Sequence, residues 1–537
     1  MSKTIDSLRL TARNTRSVAG MADFARALAA RQEWQEAAEV FERVVHLEPS
    51  DQRHASECAE AMLEAGRPDE AKDMLLLALA AAPGSAAICE AIGRLHADHF
   101  GDPQTAEDWF VDSIKLGAGF EDAYLGLCRI SVMNGADPEQ AMRTILERLG
   151  PVTKFPLIYR TMARALEERG RYWEARAYWQ EAPRDVSALL GLTNSYLTTR
   201  EIEAADRCSC DALQEEPSSF KVHIDRARFL QMTGRITEAQ DVIRPFLISR
   251  PPAREGELRQ WDSSPLDGKT VLLEFGKDSG YGDLIQHCGA TARLLQKAGA
   301  QVVVECPQRS IHRLLLTATS VSAVVQPFDP RPACDLRIDP AQALCLLAWT
   351  WDEIGACVPY FDLPPPAIPF YKPRVKNAFQ VGLHWSGREM FQHDIYQHRS
   401  MGSEALRELT TLPGVAANSF QLGSASLPPA TKDLSSHLQG FTETAAAILT
   451  MDLMVTIDSS LAHLAGALGK PCLLMLPYCA AAQWMLAAER ADQTPSLWYP
   501  NTTLFRQPSP GDWSSVVQGV AAYLQSGKVL RMLVPNN

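Results

Sequence analysis

VTIDSSLAHLAGALGKP, Val455–Pro471, joins an apolar run to a helix of small residues through Asp458, Ser459 and Ser460. The run DLMVTI (452–457) is short and almost wholly apolar, as a strand buried on both faces of a parallel sheet should be. The serines stand where a helix N-cap is expected. A helix start carries unpaired backbone N–H groups and the positive end of the helix dipole. Ser459, Ser460 and those amides therefore read as a diphosphate site. Asp458 would repel an anion if it pointed inward, so it braces the turn or meets a hydroxyl. His463 shares a helix face with Ser459 and Ser460. It reads either as a structural histidine or as a contact to phosphate or sugar.

Further strands and helices surround this stretch. TVLLEF (270–275), QVVVEC (301–306), SAVVQ (322–326) and CDLRI (334–338) read as one group of strands. FQVGLHW (379–385), ANSFQL (417–422), DLMVTI and PCLLML (471–476) read as a second, and a helix around Asp512–Gln525 closes the chain. Two successive α/β units imply two Rossmann-like domains facing one cleft. Pro-rich DLPPPAIPFYKP (362–373) reads as the linker between them. Ligands of such sheets sit at the carboxyl ends of the strands. There GKDSGYGD (276–283) follows the first strand and opens the helix LIQHCGATARLLQKAG. Asp283 can cap that helix or act as a general base toward a hydroxyl. Gly276, Gly280 and Gly282 lack the dinucleotide spacing.

The first half has a different grammar. Ala37, Ala71, Ala106, Ala141, Ala175, Ala205 and Ala239 recur at spacings of 34, 35, 35, 34, 30 and 34 residues. Gly66, Gly101, Gly135, Gly170 and Gly234 precede five of these alanines by five or six residues, and Pro49, Pro83, Pro217 and Pro251 follow four of them by twelve. Each unit reads as two helices: glycine ends the first, alanine lets the second approach it, and proline closes the unit. The array resembles about seven tetratricopeptide repeats over 20–252, with the 30-residue unit around Ala205 shortened. Trp34, Trp109, Trp173 and Trp179 fall in the helical period and read as packing residues. The segment 1–19 reads as a cap or flexible lead. The junction after Arg250 opens the first α/β domain and its linker, 253–373, and the second α/β domain spans 374–537.

The 537 residues carry a net charge of −12 with 46% hydrophobic residues. That composition is ordinary for a globular protein and weighs against nucleic acid as the main partner. No signal-like leader or membrane-length apolar run is present, and the twelve cysteines show no metal-ligand spacing. Reduced thiols in a cytoplasmic protein are expected.

DLMVTIDSSLAHLAGALGKPCLLMLP and SLWYPNTTLFRQPSPGDWSSVVQGVAAYL resemble the C-terminal half of bacterial tetratricopeptide–glycosyltransferase fusions. These are GT-B proteins similar to ADP-heptose, O-GlcNAc-transferase-like and SPINDLY-like enzymes. GYGDLIQ (280–286) and VGLHWSG (381–387) with HRS (398–400) match further family segments. The resemblance implies an all-α repeat solenoid followed by an α/β GT-B half. It implies a nucleotide sugar, and no metal or resident cofactor. By the same resemblance Asp283 is the catalytic base of an inverting transfer. The match places Gly280, Gly282, Gln286, Trp385, Ser386, Arg388, Arg399, Gln421, Asp458, Ser459, Ser460 and His463 around the nucleotide sugar. Arg399, Arg388 and His463 are candidate cations for the departing nucleotide. Where the family commonly has lysine, this chain has Leu422, and a donor with a single phosphate, such as a CMP-linked nonulosonic acid, would need less neutralisation.

The expected function is a cytoplasmic protein O-glycosyltransferase that modifies Ser or Thr of a protein recruited by the repeats, with flagellin the first acceptor to try. The alternatives are an inactive repeat adaptor with a relic GT-B half and a transferase acting on surface polysaccharide.

Overall fold

The computed structural model describes residues 17–526, apart from 118–120, 134–136, 150–154, 249–257, 348, 364–377, 388–393, 395, 424–425 and 486–492, together with residues 5 and 8. Among the described residues, fourteen α-helices between Val18 and Ile248 form seven successive hairpins. The seven periodic alanines are all buried, none more than 3% exposed. Gly66, Gly101, Gly170 and Gly234 adopt positive φ at the ends of the first helices, while Gly135 lies outside the described residues. Where a hairpin lacks that glycine, Gln32 (φ 59°) and Arg200 (φ 63°) take up the left-handed turn instead. The turn is thus demanded by the hairpin, and glycine is its low-strain solution.

The 30-residue spacing has a specific origin. The hairpin around Ala205 keeps full helices of 13 and 14 residues, Val186–Thr198 and Ile202–Glu215. The missing residues come from the preceding helix, Tyr172–Glu181, which has only 10. Trp179 is buried, and a Cβ at Gly191 would lie 2.2 Å from its ring. Trp173 departs from the packing expectation: it is 60% exposed, with the Arg176 guanidinium 4.1 Å from its ring centre.

By compactness the chain divides into a unit of Met1–Tyr196, Glu203–Glu215 and Pro327–Pro330, and a unit of Leu197–Ile202, Glu216–Gln326 and Arg331–Asn537. The seventh hairpin, Phe220–Met232 with Ile236–Ile248, therefore goes with the α/β half.

The second unit holds two sheets. The first contains β1 (Arg259–Gln260), β2 (Thr270–Glu274), β3 (Gln301–Glu305), β4 (Ala323–Val325) and β5 (Leu336–Ile338). Their order is β1-β5-β2-β3-β4, all parallel. The second contains β6 (Phe379–His384), β7 (Val415–Ser419), β8 (Thr431–Asp433), β9 (Leu453–Ile457), β10 (Cys472–Leu476), β11 (Thr494–Pro495) and β12 (Thr502–Arg506). Their order is β11-β12-β10-β9-β6-β7-β8, parallel except for β11 against β12. The strand expected at 417–422 starts two residues earlier and ends at Ser419, whose Oγ accepts from the Gln421 N–H at 3.1 Å. The expected linker lies largely outside the described residues.

These orders fix where a ligand can enter. In the first sheet the chain turns away in opposite directions on either side of β2, toward β3 and toward β5. In the second it does so around β6, toward β7 and toward β9. Such a switch point leaves an open crevice at the carboxyl ends of the two central strands. The crevices are bounded by the loops after β2 and β5, and by the loops after β6 and β9.

Candidate functional site

The loop after β2 opens the helix Tyr281–Lys297. Asp283 stands in its first turn, and its Oδ2 accepts from the Gly280 N–H at 3.2 Å. The carboxylate thus does the capping job, and its other oxygen has no hydrogen bond among the described residues. Asp283 is exposed at the surface, yet the protein packed around it strips part of its hydration. That desolvation raises its pKa, opposed by the Gly280 N–H and the charge of Arg399.

The loop after β9 opens the helix Ser460–Ala467. Ser459, fully extended, is its N-cap: the Oγ accepts from the Leu461 N–H at 3.3 Å and lies 3.3 Å from His384 Nδ1. One of the amides expected to face a ligand is therefore already capped. Ser460, half-buried, provides the first helical N–H.

These two helix starts meet. A Cβ at Gly282 would lie 2.8 Å from His463 Cδ2, so only glycine permits the approach. Behind that contact, His463 is buried, with Nδ1 3.1 Å from Tyr499 Oη and its ring 5.1 Å from that of Trp484. Burial drives its pKa down to about 3, with His287 and Arg399 adding to the effect. The expectation of a cationic His463 is thereby corrected: it is neutral, and it packs.

Asp458 is also buried. Desolvation raises its pKa, opposed first by the Trp484 indole and then by the charge of Arg399. Arg399 acts electrostatically on Asp283, Asp458, His384 and His463 alike. Its buried Nε has no hydrogen-bond partner among the described residues. Arg388 lies outside the described residues.

The loop after β6 supplies the remaining candidates. Trp385 is only 1% exposed and belongs to the core of the second sheet, so its side chain is not a ligand contact. The Gln421 side chain is equally committed: Oε1 accepts from the Ser386 N–H at 3.0 Å, and Nε2 donates to the Ser386 carbonyl at 2.9 Å. Gln421 therefore holds the loop in place. Leu422, beside it, is 57% exposed.

Asp283 and Gln286 line a cavity of about 170 Å³ together with His287, which the sequence reading passed over. Its walls include Trp349, Trp351 and Trp498, which meet edge to face with ring centres 5.0–6.4 Å apart. His287 is held neutral, its pKa pushed down to about 4 by burial. Gln231, Ile236 and Gln240, from the seventh hairpin, complete the lining. Gln240 is buried, and its Nε2 has no hydrogen-bond partner among the described residues. An unmet buried donor of this kind costs about 1–3 kcal/mol. No local motif flags these glutamines, because only the fold carries the last repeat to the loop after β2.

Among the described residues, one group of side chains has metal-ligand geometry. Glu48, Asp51 and His54, at an inter-helix turn of the first unit, have ligand atoms within 4.8 Å of one another. No helix among the described residues is long and apolar enough to cross a membrane.

A tetratricopeptide-repeat family model matches residues 28–95. No curated protein matches the chain. Among solved structures, a tetratricopeptide repeat protein from Parabacteroides merdae is 15% identical over 44% of this chain and 90% of its own, with a TM-score of 0.28. PilF of Pseudomonas aeruginosa is 16% identical over 38% and 94%, with a TM-score of 0.25. Yeast Tom70 is 15% identical over 44% and 53%, with a TM-score of 0.31. At such scores these likenesses carry no argument of their own. The N-terminal region contains tetratricopeptide repeats, a class of module that points to a protein partner.

Proposed function

We propose that the chain is a protein O-glycosyltransferase of GT-B type that uses a nucleotide sugar as donor. One observation carries this reading. The helix start bearing Asp283 and the helix start bearing Ser459 and Ser460 touch at Gly282, each at the switch point of its own sheet. An acid of raised pKa then stands beside an anion-favouring helix terminus, with the Arg399 guanidinium acting on both. In the proposed step the Asp283 carboxylate takes the proton of an acceptor serine or threonine hydroxyl. The hydroxyl oxygen forms a bond to the anomeric carbon, on the face opposite the nucleotide. The bond from that carbon to the phosphate oxygen breaks, and its electron pair leaves with the nucleotide. Arg399 and the Ser460 amide stabilise the departing phosphate charge.

The repeats support a protein acceptor, and flagellin is the first to test. Titrating the full chain calorimetrically with UDP-, GDP-, ADP- and CMP-sugars should identify one donor class. Incubation with that donor and flagellin should then add one sugar mass or more to the acceptor. If no nucleotide sugar binds, the transferase reading fails and a repeat adaptor with a non-catalytic α/β half takes its place.

A further inference from the structure

The cavity beside Asp283 has a chemistry of its own. Asp283 is the only formally charged side chain among its described lining residues, and His287 is neutral. Apart from the tryptophan indoles and the Cys345 thiol, the polar lining is carboxamide: Gln231, Gln240, Gln286 and Gln483. Each glutamine offers both an amide donor and a carbonyl acceptor, the same pair that a peptide bond presents. The Gln240 side chain lines the cavity and its buried Nε2 lacks an acceptor among the described residues, so a small turn of the carboxamide would let a carbonyl placed in the cavity satisfy it. The tryptophans supply rigid apolar area at little entropic cost. Two of the glutamines come from the last hairpin of a repeat series whose class recruits polypeptide.

We propose that this cavity is an acceptor-selecting subsite. It takes an uncharged stretch of extended polypeptide, with Gln240 bonding a backbone carbonyl next to the modified residue, and it excludes acidic neighbours. An aspartate or glutamate there would be desolvated beside the Asp283 carboxylate, and the charge of Arg399 is already shared between Asp283 and Asp458. The seventh hairpin is then part of the reaction site as well as the end of a recruiting array. The identity of the modified residue rests on the transferase reading, but the binding itself does not.

The test uses the full-length protein without donor. Two acetyl- and amide-capped hexapeptides are titrated by calorimetry, one with a central serine flanked by alanine and asparagine, the other flanked by glutamate. A neutral methyl glycoside is titrated in parallel. The neutral peptide should bind at least about tenfold more tightly than the acidic one, and Gln240→Leu should weaken it by about tenfold. Gln240→Leu should melt no lower than wild type, because it removes an unsatisfied buried donor. Asp283→Asn should recover binding of the acidic peptide more than it alters the neutral one. Equal binding of the two peptides, an unaffected Gln240→Leu, or preference for the glycoside over both peptides would overturn the proposal. Selective peptide binding by a chain that binds no nucleotide sugar would sink the transferase reading and leave this one standing.

Discussion

The two helix starts at the cleft occupy equivalent places, each after a central strand of its sheet, yet they are built for opposite work. The Tyr281 helix opens on glycine and keeps a carboxylate in its first turn, bonded to the Gly280 N–H. The Ser460 helix opens on serine, holds no acid in its first turn, and backs onto a neutral histidine packed against Trp484 and Tyr499. One helix start therefore suits a group that must lose a proton, and the other a group that gains negative charge. What separates them is the residue seated in a few positions of a shared scaffold, so the contrast can be attacked one side chain at a time.

The largest effect is expected at the first helix start. Asp283→Asn keeps a side chain able to cap the helix but removes the base. Transfer should fall by about 10²–10⁴-fold while donor binding, read by calorimetry, is unchanged. In the wild type, transfer should decline as pH falls through the raised Asp283 pKa, because the base must be ionised. A variant that transfers normally would show that the carboxylate only caps.

Arg399→Ala probes the second helix start. It should weaken donor binding by about 10–100-fold, the range of a charge-assisted hydrogen bond, and leave binding of a serine peptide unchanged. If peptide and donor suffer equally, the division of labour between the two helix starts is wrong.

Gly282→Ala tests the contact that joins them. The added methyl meets a His463 ring boxed in by Trp484 and Tyr499, so the ring or the helix must shift. A destabilisation of about 1–3 kcal/mol in denaturant melts is expected, the usual cost of overpacking. Gly66→Ala provides the contrast: φ there is +76° and nothing lies within 4 Å, so its smaller cost comes from backbone strain alone.

That contrast also explains what could be read from the chain before folding. Ala37 and Pro49 act within the first hairpin, as Gly66 and Ala71 do within the second, so their period is written along the sequence and the repeats are visible there. Most strands of the two sheets are legible for the same reason, since their apolar runs are local, but the interior strand Thr502–Arg506 opens on two threonines and escapes that reading. Edge strands such as Thr431–Asp433 and Thr494–Pro495 are too short and too polar to leave a signature. The cleft is harder still. His463 looks like a phosphate contact until Tyr499 and Gly282 are brought around it, and Trp385 looks like a nucleotide-sugar contact until it is placed in the core. Gln231 and Gln240 carry no local signal, because the loop and helix they meet at the cavity, from Asp283 on, lie more than forty residues further along the chain.

The last test concerns the charge state of the second helix start, where the expected effect is smallest. The folded-state pKa of His463 is about 3, below the ordinary value of 6.5. A histidine kept neutral in the fold stabilises fully above its unfolded pKa, and this contribution is lost as pH falls from about 6.5 toward 3, when only the unfolded chain takes the proton. Asp283 and Asp458 have raised pKa values and act in the opposite sense, gaining protons in the folded state as pH falls. The sign of the net slope therefore reports which side prevails. Comparing wild type with His463→Gln by denaturant melts from pH 7 to pH 5 isolates the histidine: its removal should reduce the loss on acidification by about 1 kcal/mol per pH unit. If the two slopes match, His463 is already charged in the fold, and the second helix start is a cationic site after all.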